Sequence, residues 1–453
     1  MTTSQYKSSI RGKRCAVLGL GVSNTPLVDF LLDAGAIVTV RDAKSREELG
    51  DTAALLAERG VNLVCGQAYL DNIDEEIIFR SPGIHPDHAG IRTAVANGAI
   101  LTSEMELFMQ LCPAKMIGIT GSDGKTTTTT IIHKMLVAAG LTAHVGGNIG
   151  TPLLPIIEQI QPSDFVVLEL SSFQLQTMTQ SPDIALVTNM SPNHLDWHDG
   201  MGDYIDAKRN IFAHQKNGCR LILNRDNDVT SKFRANSGVA TTWFSRKEEL
   251  SEGGCVRDGV ILHNGEEIMP ISDILLPGAH NLENYLAAIA VVRPFVEKCG
   301  IINVAKSFGG VEHRLEIARR LHGVTYINSS IDSSPSRTAA ALSALSVKPI
   351  IICGGYDKNL AFEPLAESLV ERAKLVILTG ATADAIKSAF DAHPAAEKPQ
   401  VIMQPDFTDA VLAASNAASE DDIVLLSPAC ASFDSFANFM ERGDRFKEIV
   451  NSL

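Results

Sequence analysis

The residue types most suited to chemistry lie in a glycine-rich run, G-x-x-G-x-x-G-K-T, which extends from Gly118 to Thr126. The run begins within an apolar, strand-like segment and leads into a segment with helical spacing, an order typical of phosphate-binding loops. In such a loop the backbone N–H groups and the helix N-terminus bind an anion, Lys125 adds positive charge for the phosphates, and Thr126 offers a hydroxyl to Mg²⁺. The predicted nucleotide site comprises Gly121, Ser122, Asp123, Gly124, Lys125, Thr126 and Thr127.

This loop departs from the general Walker pattern G-x-x-x-x-G-K-[ST], because Ile119 stands at the position of the first glycine. The alternative interpretation is a glycine-rich turn that only caps a helix. Strand, glycines, lysine and hydroxyl occur together here, and this combination favours a nucleotide site.

Two polar side chains follow the ends of neighbouring strand-like runs in the central part of the chain. Glu169 is the one carboxylate in the apolar run Phe165 to Leu170, and His194 follows the next run, Ile184 to Asn189. A charge among apolar residues is costly unless it meets a cation, so Glu169 is a candidate Mg²⁺ ligand. His194 emerges at the carboxyl edge of the same sheet, where ligands gather in α/β folds. Alternatively, Glu169 faces solvent and His194 is an ordinary loop residue.

Lys208 occupies an unusual position in the helix predicted from Gly202 to Gln215. It shares one face of that helix with Tyr204, Ile205, Ile211 and Phe212. Burial lowers the pKa of an ammonium, and a neutral amine reacts with CO₂ to give a carbamate whose oxygens can bind Mg²⁺. A carbamylated metal ligand is therefore one interpretation of Lys208. The same spacing equally fits an unmodified lysine that snorkels to solvent.

A second, weaker glycine motif, Gly19-Leu20-Gly21, follows the first strand-like run of the chain. Asn24 stands where the dinucleotide fingerprint G-x-G-x-x-G has its third glycine, so the motif alone does not define an NAD site. Asp42 lies about twenty residues further on, a position that suits a ribose or uridine contact. A nucleotide or diphosphate site, a structural turn and NAD-dependent chemistry remain open interpretations.

Short apolar runs alternate with amphipathic segments in three successive stretches, which predicts an α/β fold of βαβ units around parallel sheets. We predict an N-terminal Rossmann-like domain at residues 1–111, a central mononucleotide-binding domain at 112–309 and a C-terminal Rossmann-like domain at 310–453. Between Gly218 and Pro277, short strands and the hairpin-like Asn264-Gly265 predict a small antiparallel edge or subsheet in the central domain.

The composition, 45% hydrophobic and 20% charged, excludes a disordered chain. A formal net charge of −14 argues against general affinity for nucleic acid or anionic membranes, because both bind clustered lysine and arginine. The eight cysteines are scattered, without zinc or redox spacing. We find neither a signal peptide nor an apolar stretch long enough to span a membrane, and therefore expect a cytoplasmic protein. The sequence leaves the oligomeric state open, and a monomer is the working expectation.

Together these motifs resemble those of the Mur ligase family across nearly the whole chain, most of all the branch that adds D-glutamate. The resemblance rests on Gly118 to Thr127, Gly146 to Gly150, Leu168 to Leu175, Asn193 to Asp196, Tyr204 to Arg209, His280 to Asn284, Glu312 to Arg314 and Leu426 to Asp434. It implies an ATP-dependent amide ligase of peptidoglycan precursor synthesis. Such an enzyme converts the carboxylate of UDP-N-acetylmuramoyl-L-alanine to an acyl phosphate, which the amine of D-glutamate attacks. The implied cofactors are ATP and Mg²⁺ at two sites.

The resemblance also implies roles for individual residues. Lys125 would hold phosphates, while Thr126 and Glu169 would bind one Mg²⁺; His194 and carbamylated Lys208 would bind the second. Further ATP contacts would come from Asn281, Asn284 and Arg314. Contacts to the UDP-substrate would come from Gly21, Val22, Ser23, Asp42, Ser81, Gly83 and Asn148, and contacts to the amino acid from Lys358, Ser432 and Phe439. Without the resemblance, Lys358 and Ser432 would be ordinary loop residues.

One block departs from the family pattern. From Asn328 to Ile331 the chain reads Asn-Ser-Ser-Ile, where many members read Asn-Asp-Ser-Lys. The aspartate that meets ribose is thus Ser329 here, and the lysine is Ile331. Whether Asp332 replaces that aspartate is open at this stage.

Other functions fit less of the sequence. Members that add diaminopimelate or lysine usually carry an Asp-Asn-Pro tripeptide in the third domain, and this chain has none. A folate polyglutamylating ligase shares the central domain but does not explain the N-terminal one. A P-loop regulator or transport ATPase would need no amino-acid site, and a nicotinamide oxidoreductase would rely on Gly19-Leu20-Gly21 rather than Lys125.

Overall fold

The computed structural model describes residues 1–195, 197–276, 278–357 and 361–453. Its strands form three sheets, and the chain divides into two compact units, Met1–Phe308 and Gly309–Leu453. The first unit contains two of the sheets and the second unit contains the third. This arrangement confirms the predicted α/β fold with three sheet-based parts.

The first sheet has five parallel strands. Its elements are α1 (Thr3–Ile10), β1 (Arg14–Leu18), α2 (Asn24–Asp33), β2 (Ile37–Asp42), α3 (Arg46–Leu49), α4 (Asp51–Glu58), β3 (Asn62–Cys65), β4 (Ile77–Arg80), α5 (Ala89–Ala96), β5 (Ile100–Thr102) and α6 (Glu104–Leu111). The strand order is β3-β2-β1-β4-β5, so the chain reverses direction across the sheet between β1 and β4. Ligands bind at such switch points in open α/β sheets. The loops after β1 and β4 are therefore the expected binding loops of this sheet.

The central sheet has nine strands. Its elements are β6 (Lys115–Thr120), α7 (Lys125–Ala138), β7 (Ala143–Gly147), β8 (Phe165–Glu169), α8 (Ser172–Leu175), β9 (Ile184–Val187), α9 (Gly200–Ala213), β10 (Arg220–Asn224), β11 (Ala240–Phe244), β12 (Gly254–Arg257), β13 (Val260–His263), β14 (Glu266–Pro270), α10 (Ala279–Val292) and α11 (Lys298–Ser307), with 3₁₀ turns at Leu154–Ile156, Thr230–Lys232 and Ile271–Asp273. The order is β14-β13-β12-β11-β10-β9-β6-β8-β7.

The predicted antiparallel part is an edge of this central sheet. The neighbouring strands β7-β8-β6-β9-β10-β11-β12 pair in parallel, whereas β12 with β13 and β13 with β14 pair antiparallel. Asn264 and Gly265 form the two-residue turn between β13 and β14 with φ of 51° and 76°. Both angles are positive, as a type I′ hairpin turn requires.

The third sheet has six strands in the order β15-β16-β20-β17-β18-β19, with only the β15–β16 pair antiparallel among the pairings described. Its elements are β15 (Glu316–Leu321), β16 (Val324–Asn328), α12 (Pro335–Ala344), β17 (Ile350–Cys353), α13 (Glu363–Arg372), β18 (Leu375–Leu378), α14 (Ala383–Ala392), β19 (Gln400–Met403), α15 (Phe407–Ala417), β20 (Ile423–Leu426) and α16 (Phe439–Ser452).

The hydrophobic cores follow the two units rather than the three sheets. One cluster of buried side chains includes Val17 of β1, Leu27 of α2, Leu154 of a 3₁₀ turn and Leu168 of β8, so it joins the first two sheets. The clusters on the two faces of the third sheet consist of residues from the second unit. Within the described ranges, no helix has the length and apolar character needed to cross a membrane.

Candidate active site

The glycine loop connects β6 to α7 in a conformation that depends on two glycines. Gly121 and Gly124 have φ of 149° and 77°. A Cβ on Gly121 would lie 1.9 Å from the hydroxyl of Thr188, and one on Gly124 would lie 2.3 Å from Oδ1 of Asn284. Any larger residue at either position would displace the loop, because such distances are far shorter than van der Waals contact.

Side chains from the loop after β9 and from α9 brace the glycine loop. The Asp123 amide donates to Oδ1 of Asn189 at 2.9 Å, and the Ser122 hydroxyl lies 2.9 Å from the hydroxyl of Tyr204. The sequence interpretation missed Asn189 and Tyr204. The only available signals were the position of Asn189 after a strand and the presence of Tyr204 on the same helix face as Lys208.

Lys125 begins α7 and folds back over the loop. Its Nζ donates to the carbonyls of Gly121 at 2.8 Å and Ser122 at 2.9 Å. Thr126 and Thr127 follow in the first helical turn and are half-buried. The structure therefore brings lysine, hydroxyls and helix N-terminus together, the arrangement that binds nucleotide phosphates.

Glu169 is the last residue of β8, the strand beside β6, and is buried. Its Oε1 accepts a hydrogen bond of 2.8 Å from the side-chain amide of Asn148. Its Oε2 is buried and has no hydrogen-bond partner among the described residues. A buried carboxylate oxygen without a donor is strongly destabilising unless a cation binds it. Glu169 thus fits a Mg²⁺ ligand, and the solvent-facing alternative is wrong.

Lys208 is fully buried on α9, so the snorkelling alternative is also wrong. Its Nζ lies 3.2 Å from the Thr120 hydroxyl, 2.9 Å from the Gly121 carbonyl and 4.9 Å from the centre of the Tyr204 ring. Burial, and secondarily the charge of Lys125, lowers the pKa of Lys208 to about 6. The amine is therefore mainly neutral at pH 7.5, the form that reacts with CO₂.

His194 lies on the loop after β9 and is exposed. Its ring contacts Phe173 edge-on, with ring centroids 4.9 Å apart. Because β8, β6 and β9 are neighbours in the parallel sheet, the segments that carry Glu169, the glycine loop and His194 all leave the sheet at one edge.

Asn281 and Asn284, predicted to meet adenine, lie near the start of α10 and are buried. Asn284 accepts a hydrogen bond of 3.1 Å from the hydroxyl of Thr128 and donates one of 3.3 Å to Asn281. Both asparagines are thereby held against the first turns of α7. The structure thus places them beside the glycine loop.

The residues predicted to bind the UDP-substrate follow β1, β2, β4 and β7. Both carboxylate oxygens of Asp42 accept backbone hydrogen bonds, from Leu20 at 2.7 Å and from Lys44 at 2.9 Å, and the side chain is buried. Asp42 therefore shapes the Gly19–Ser23 loop from within. In that loop, Gly21 has open space at its Cβ position and Val22 is 80% exposed.

The two binding loops of the first sheet lie side by side. Ser81 donates its backbone N–H to the Leu18 carbonyl, and its Cβ lies 3.4 Å from the Cβ position of Gly19. Gly83, on the second loop, has open space around it, and Ser23 precedes α2 without a side-chain capping bond. Asn148 follows β7, and its side-chain amide donates to Glu169.

In the second unit, Arg314 borders a cavity of about 300 Å³. The lining residues are Arg314, Leu315, Ser329, Ile331, Asp332, Arg337, Ala340 and Ala341. Asp332 is buried and accepts a hydrogen bond of 2.8 Å from the Ser427 hydroxyl, and burial raises the pKa of its carboxyl. Ser329 and Ile331, which depart from the family pattern, thus line one cavity together with two arginines and an aspartate.

The three residues predicted to bind the amino acid differ in burial and in whether the structure describes them. Ser432 is buried, and its carbonyl accepts hydrogen bonds from the backbone of Ser435 and Phe436. Phe439 begins α16 and is half-buried. Lys358 lies outside the described residues.

Three family models match the chain in order: the Mur ligase MurD-like N-terminal domain at 13–103, the Mur ligase middle domain at 119–292 and the glutamate ligase domain of Mur ligases at 313–430. With the sheet order and the glycine-loop site, these matches define the class. The chain belongs to the Mur ligase family. Family membership implies ATP dependence, and with it Mg²⁺.

The relatives with high sequence identity carry one name. The UDP-N-acetylmuramoylalanine–D-glutamate ligase of Clostridium novyi (strain NT) is 47% identical over 458 residues, covering 100% of this chain and 99% of the relative. The ligase of that name from Clostridium beijerinckii is 48% identical over 453 residues, with 99% coverage of both.

Solved structures share the fold at lower identity. The UDP-N-acetylmuramate-alanine ligase of Thermotoga maritima has a TM-score of 0.54 at 17% identity, covering 97% of this chain and 99% of that chain. A UDP-N-acetylmuramoyl-L-alanyl-D-glutamate–2,6-diaminopimelate ligase has a TM-score of 0.55 at 16% identity, with 100% and 94% coverage.

Proposed function

We propose that this chain is an ATP-dependent ligase that joins D-glutamate to UDP-N-acetylmuramoyl-L-alanine in peptidoglycan precursor synthesis. The observation that carries the proposal is the buried pair Glu169 and Lys208 at the glycine loop, in a chain similar over its full length to relatives of that name. A carboxylate is a poor acyl donor. The carboxylate of the UDP-substrate therefore attacks the γ-phosphorus of ATP and releases ADP. The D-glutamate amine then attacks the acyl phosphate, forming an amide and releasing phosphate.

The residues around the glycine loop serve the first of these steps. Backbone N–H groups and Lys125 hold the phosphates, and the charge of Lys125 offsets the negative charge that builds up during phosphoryl transfer. Mg²⁺, when bound, supplies further charge neutralisation and orients the phosphates. We assign one Mg²⁺ to Thr126 and Glu169, because Oε2 of Glu169 is buried without a hydrogen-bond partner in the described part of the chain.

We assign the second Mg²⁺ to His194 and a carbamate on Lys208. The Lys208 amine is buried and has a pKa lowered to about 6, as a reaction with CO₂ requires. In that reaction the nitrogen lone pair forms a bond to carbon and one N–H proton leaves. The product carries oxygens suited to Mg²⁺ in place of a cation.

The remaining assignments divide by substrate. Asn281, Asn284 and Arg314 contact ATP. Gly21, Val22, Ser23, Asp42, Ser81, Gly83 and Asn148 serve the UDP-substrate, with Asp42 acting through its hold on the Gly19–Ser23 loop. Lys358, Ser432 and Phe439 serve D-glutamate. We further propose domain boundaries at 111/112 and 309/310, a cytoplasmic location and a monomer.

Phosphate release from ATP tests the reaction and its substrates together. We expect release that requires UDP-N-acetylmuramoyl-L-alanine, D-glutamate and Mg²⁺, with little activity when a panel of other amino acids replaces D-glutamate. Lys125→Ala should abolish it. Release independent of the amino acid would overturn the proposal, and full activity of Lys125→Ala would overturn the assigned phosphate site.

A further inference from the structure

Arg80, the last residue of β4, is an arginine that the proposed site does not yet use. Its side chain is among the largest that are fully buried in the described structure. One terminal nitrogen, Nη1, lies 2.6 Å from the carbonyl of Ile84, 3.3 Å from that of Pro82 and 3.4 Å from that of Ser81. We define residues 81–85 as the substrate loop. The buried Arg80 side chain thus holds this loop through its backbone carbonyls.

The other terminal nitrogen reaches into the central part of the chain. Nη2 of Arg80 donates to the Phe173 carbonyl at 2.8 Å and to the Thr177 hydroxyl at 3.3 Å. Phe173 belongs to α8, which begins three residues after Glu169. One guanidinium therefore ties the loop proposed for the UDP-substrate to the segment that follows a proposed metal ligand.

The hydrogen-bond partners of Arg80 do not compensate the free-energy cost of burying its charge. All the hydrogen bonds recorded for its guanidinium in the described ranges go to neutral carbonyls and one hydroxyl, and its Nε has no partner there. A buried cation without an anion is destabilising. Arginine at this position serves geometry, since its planar fork fixes two segments at once.

A second connection between these segments runs through aromatic rings. The rings of His85, on the substrate loop, and Trp197 have centroids 5.0 Å apart. Trp197 lies 4.7 Å from the ring of Phe173, which in turn contacts His194 at 4.9 Å. Hydrogen bonds of the Arg80 guanidinium and a row of tilted and edge-on ring contacts thus join the substrate loop to the segment of His194 along two routes.

We propose that Arg80 is a positioning residue that couples the substrate loop to the metal-binding segments, with the ring contacts of His85, Trp197 and Phe173 as the second route. This inference rests on the proposed function. Binding of the UDP end of the substrate orders the loop, and the loop fixes Phe173 and His194. Binding of the UDP-substrate and of Mg²⁺ therefore strengthen each other, reciprocally and by the same factor.

The test compares Arg80→Met with wild type. Methionine keeps an apolar stem but donates no hydrogen bond. In wild type, the half-saturating Mg²⁺ concentration should fall when UDP-N-acetylmuramoyl-L-alanine is present. In Arg80→Met, this coupling should shrink by about threefold to thirtyfold, with KM for the UDP-substrate raised and kcat at saturation largely kept. Arg80→Lys, which cannot span both segments, should keep the fold and lose most of the coupling.

A readout independent of turnover uses the fluorescence of Trp197. The chain has two tryptophans, so a Trp243→Phe background leaves Trp197 as the only indole. Titration with Mg²⁺ alone, and then with Mg²⁺ plus UDP-N-acetylmuramoyl-L-alanine, should show the same coupling in the Trp243→Phe background and a reduced coupling when Arg80→Met is added.

A matched control is Arg220→Met. Arg220 begins β10, at the amino ends of the parallel strands of the central sheet, and its side chain donates only to the helix carbonyls of Ala290 and Val291 among the described residues. It should lower thermal stability and leave the coupling unchanged. Equal loss of coupling in both variants, or intact coupling in a folded Arg80→Met, overturns the inference.

A further variant covers the case in which Arg80→Met does not fold. His85 is 38% exposed, so His85→Ala removes the second route without opening a core. It should reduce the coupling in the same direction, and unchanged coupling overturns the inference. Wild-type phosphate release without the two predicted substrates would instead contradict the proposed function, so the two failures are distinguishable.

Discussion

At the scale of single residues, Lys208 is defined by burial. Its aliphatic stem lies in the core, and its amine meets a hydroxyl, a carbonyl and an aromatic ring. Burial, and secondarily the charge of Lys125, disfavours the charged form and lowers the pKa of Lys208 to about 6. Lysine here is unfavourable for stability and suited to reaction with CO₂.

Removal of this amine is the first prediction. Lys208→Ala should lower activity by at least about a hundredfold, as expected for loss of a metal-site group. Added short carboxylic acids should restore part of the activity by supplying the missing oxygens. Lys216→Ala, at an exposed lysine just beyond α9, serves as the control and should stay active. Crystallographic density for Lys208 without an added CO₂ would contradict the carbamate.

The second prediction concerns Glu104, the first residue of α6. Burial raises its pKa to about 7, and its Oε1 lacks a partner among the described residues. The folded chain therefore keeps a proton that the unfolded chain releases between pH 4.5 and 7. The free energy of unfolding therefore falls as pH rises through this window, because the unfolded chain loses the Glu104 proton before the folded chain does. Glu104→Gln should stabilise the protein at pH 8, by on the order of 1–3 kcal/mol, and little at pH 4.5.

Thermal unfolding of wild type and variant at the two pH values measures this difference. Glu106→Gln is the matched control on the same helix. The Glu106 carboxylate accepts hydrogen bonds from the backbone N–H and the hydroxyl of Thr179 at 2.8 and 2.6 Å. Glu106→Gln replaces this charged acceptor with a neutral amide and should therefore destabilise the protein at pH 8. If both variants changed the thermal stability equally at the two pH values, the burial of Glu104 would not shift its pKa.

At the scale of elements, the glycine loop and the start of α7 form one rigid unit. Gly124 has left-handed backbone and abuts Asn284 of α10, while Tyr204 and Asn189 hold the preceding residues. Three elements therefore fix the position at which Lys125 begins its helix. A phosphate would meet a loop that is already ordered.

Gly124→Ala tests this unit. The added Cβ would lie 2.3 Å from Oδ1 of Asn284, so the variant should lower both Tm and ATP affinity. Gly140→Ala is a close control, because Gly140 also has φ of 77° but has no atom within 4 Å of its Cβ position. The control should cost only the backbone strain, about 1–2 kcal/mol, and leave ATP affinity unchanged. Calorimetry and nucleotide titration of both variants give the comparison, and equal effects would exclude the Asn284 contact as a cause.

At the scale of the whole molecule, core continuity divides the chain into two units. Leu27 of α2, beside the first sheet, and Leu168 of the central sheet belong to one cluster, whereas the second unit has its own clusters on both sheet faces. A unit with its own core can fold alone. A fragment of residues 309–453 should therefore unfold cooperatively in denaturant. A fragment of residues 112–453 should aggregate, because it lacks the first sheet and therefore exposes part of the shared core.

Circular dichroism and size-exclusion chromatography of the two fragments check this prediction. A soluble, cooperatively folded 112–453 would show that the first sheet is a separate folding unit. A non-cooperative 309–453 would show that its clusters are insufficient.

Local patterns in the sequence determined much of the fold and the main site. The alternation of apolar runs predicted three sheets, and Asn264-Gly265 predicted the hairpin at the antiparallel edge, because turn geometry and strand burial depend on nearby residues. The glycine loop and the helix face of Lys208 were recognisable for the same reason.

Tertiary structure alone decided which side chains meet across long sequence separations. It showed that one buried oxygen of Glu169 has no partner among the described residues, that backbone N–H groups donate to Asp42, and that Asn284 abuts Gly124. It also revealed the link from Arg80 to Phe173, whose residues are 93 positions apart. Burial and hydrogen bonding depend on the packing of distant segments, and no periodicity along the chain records that packing.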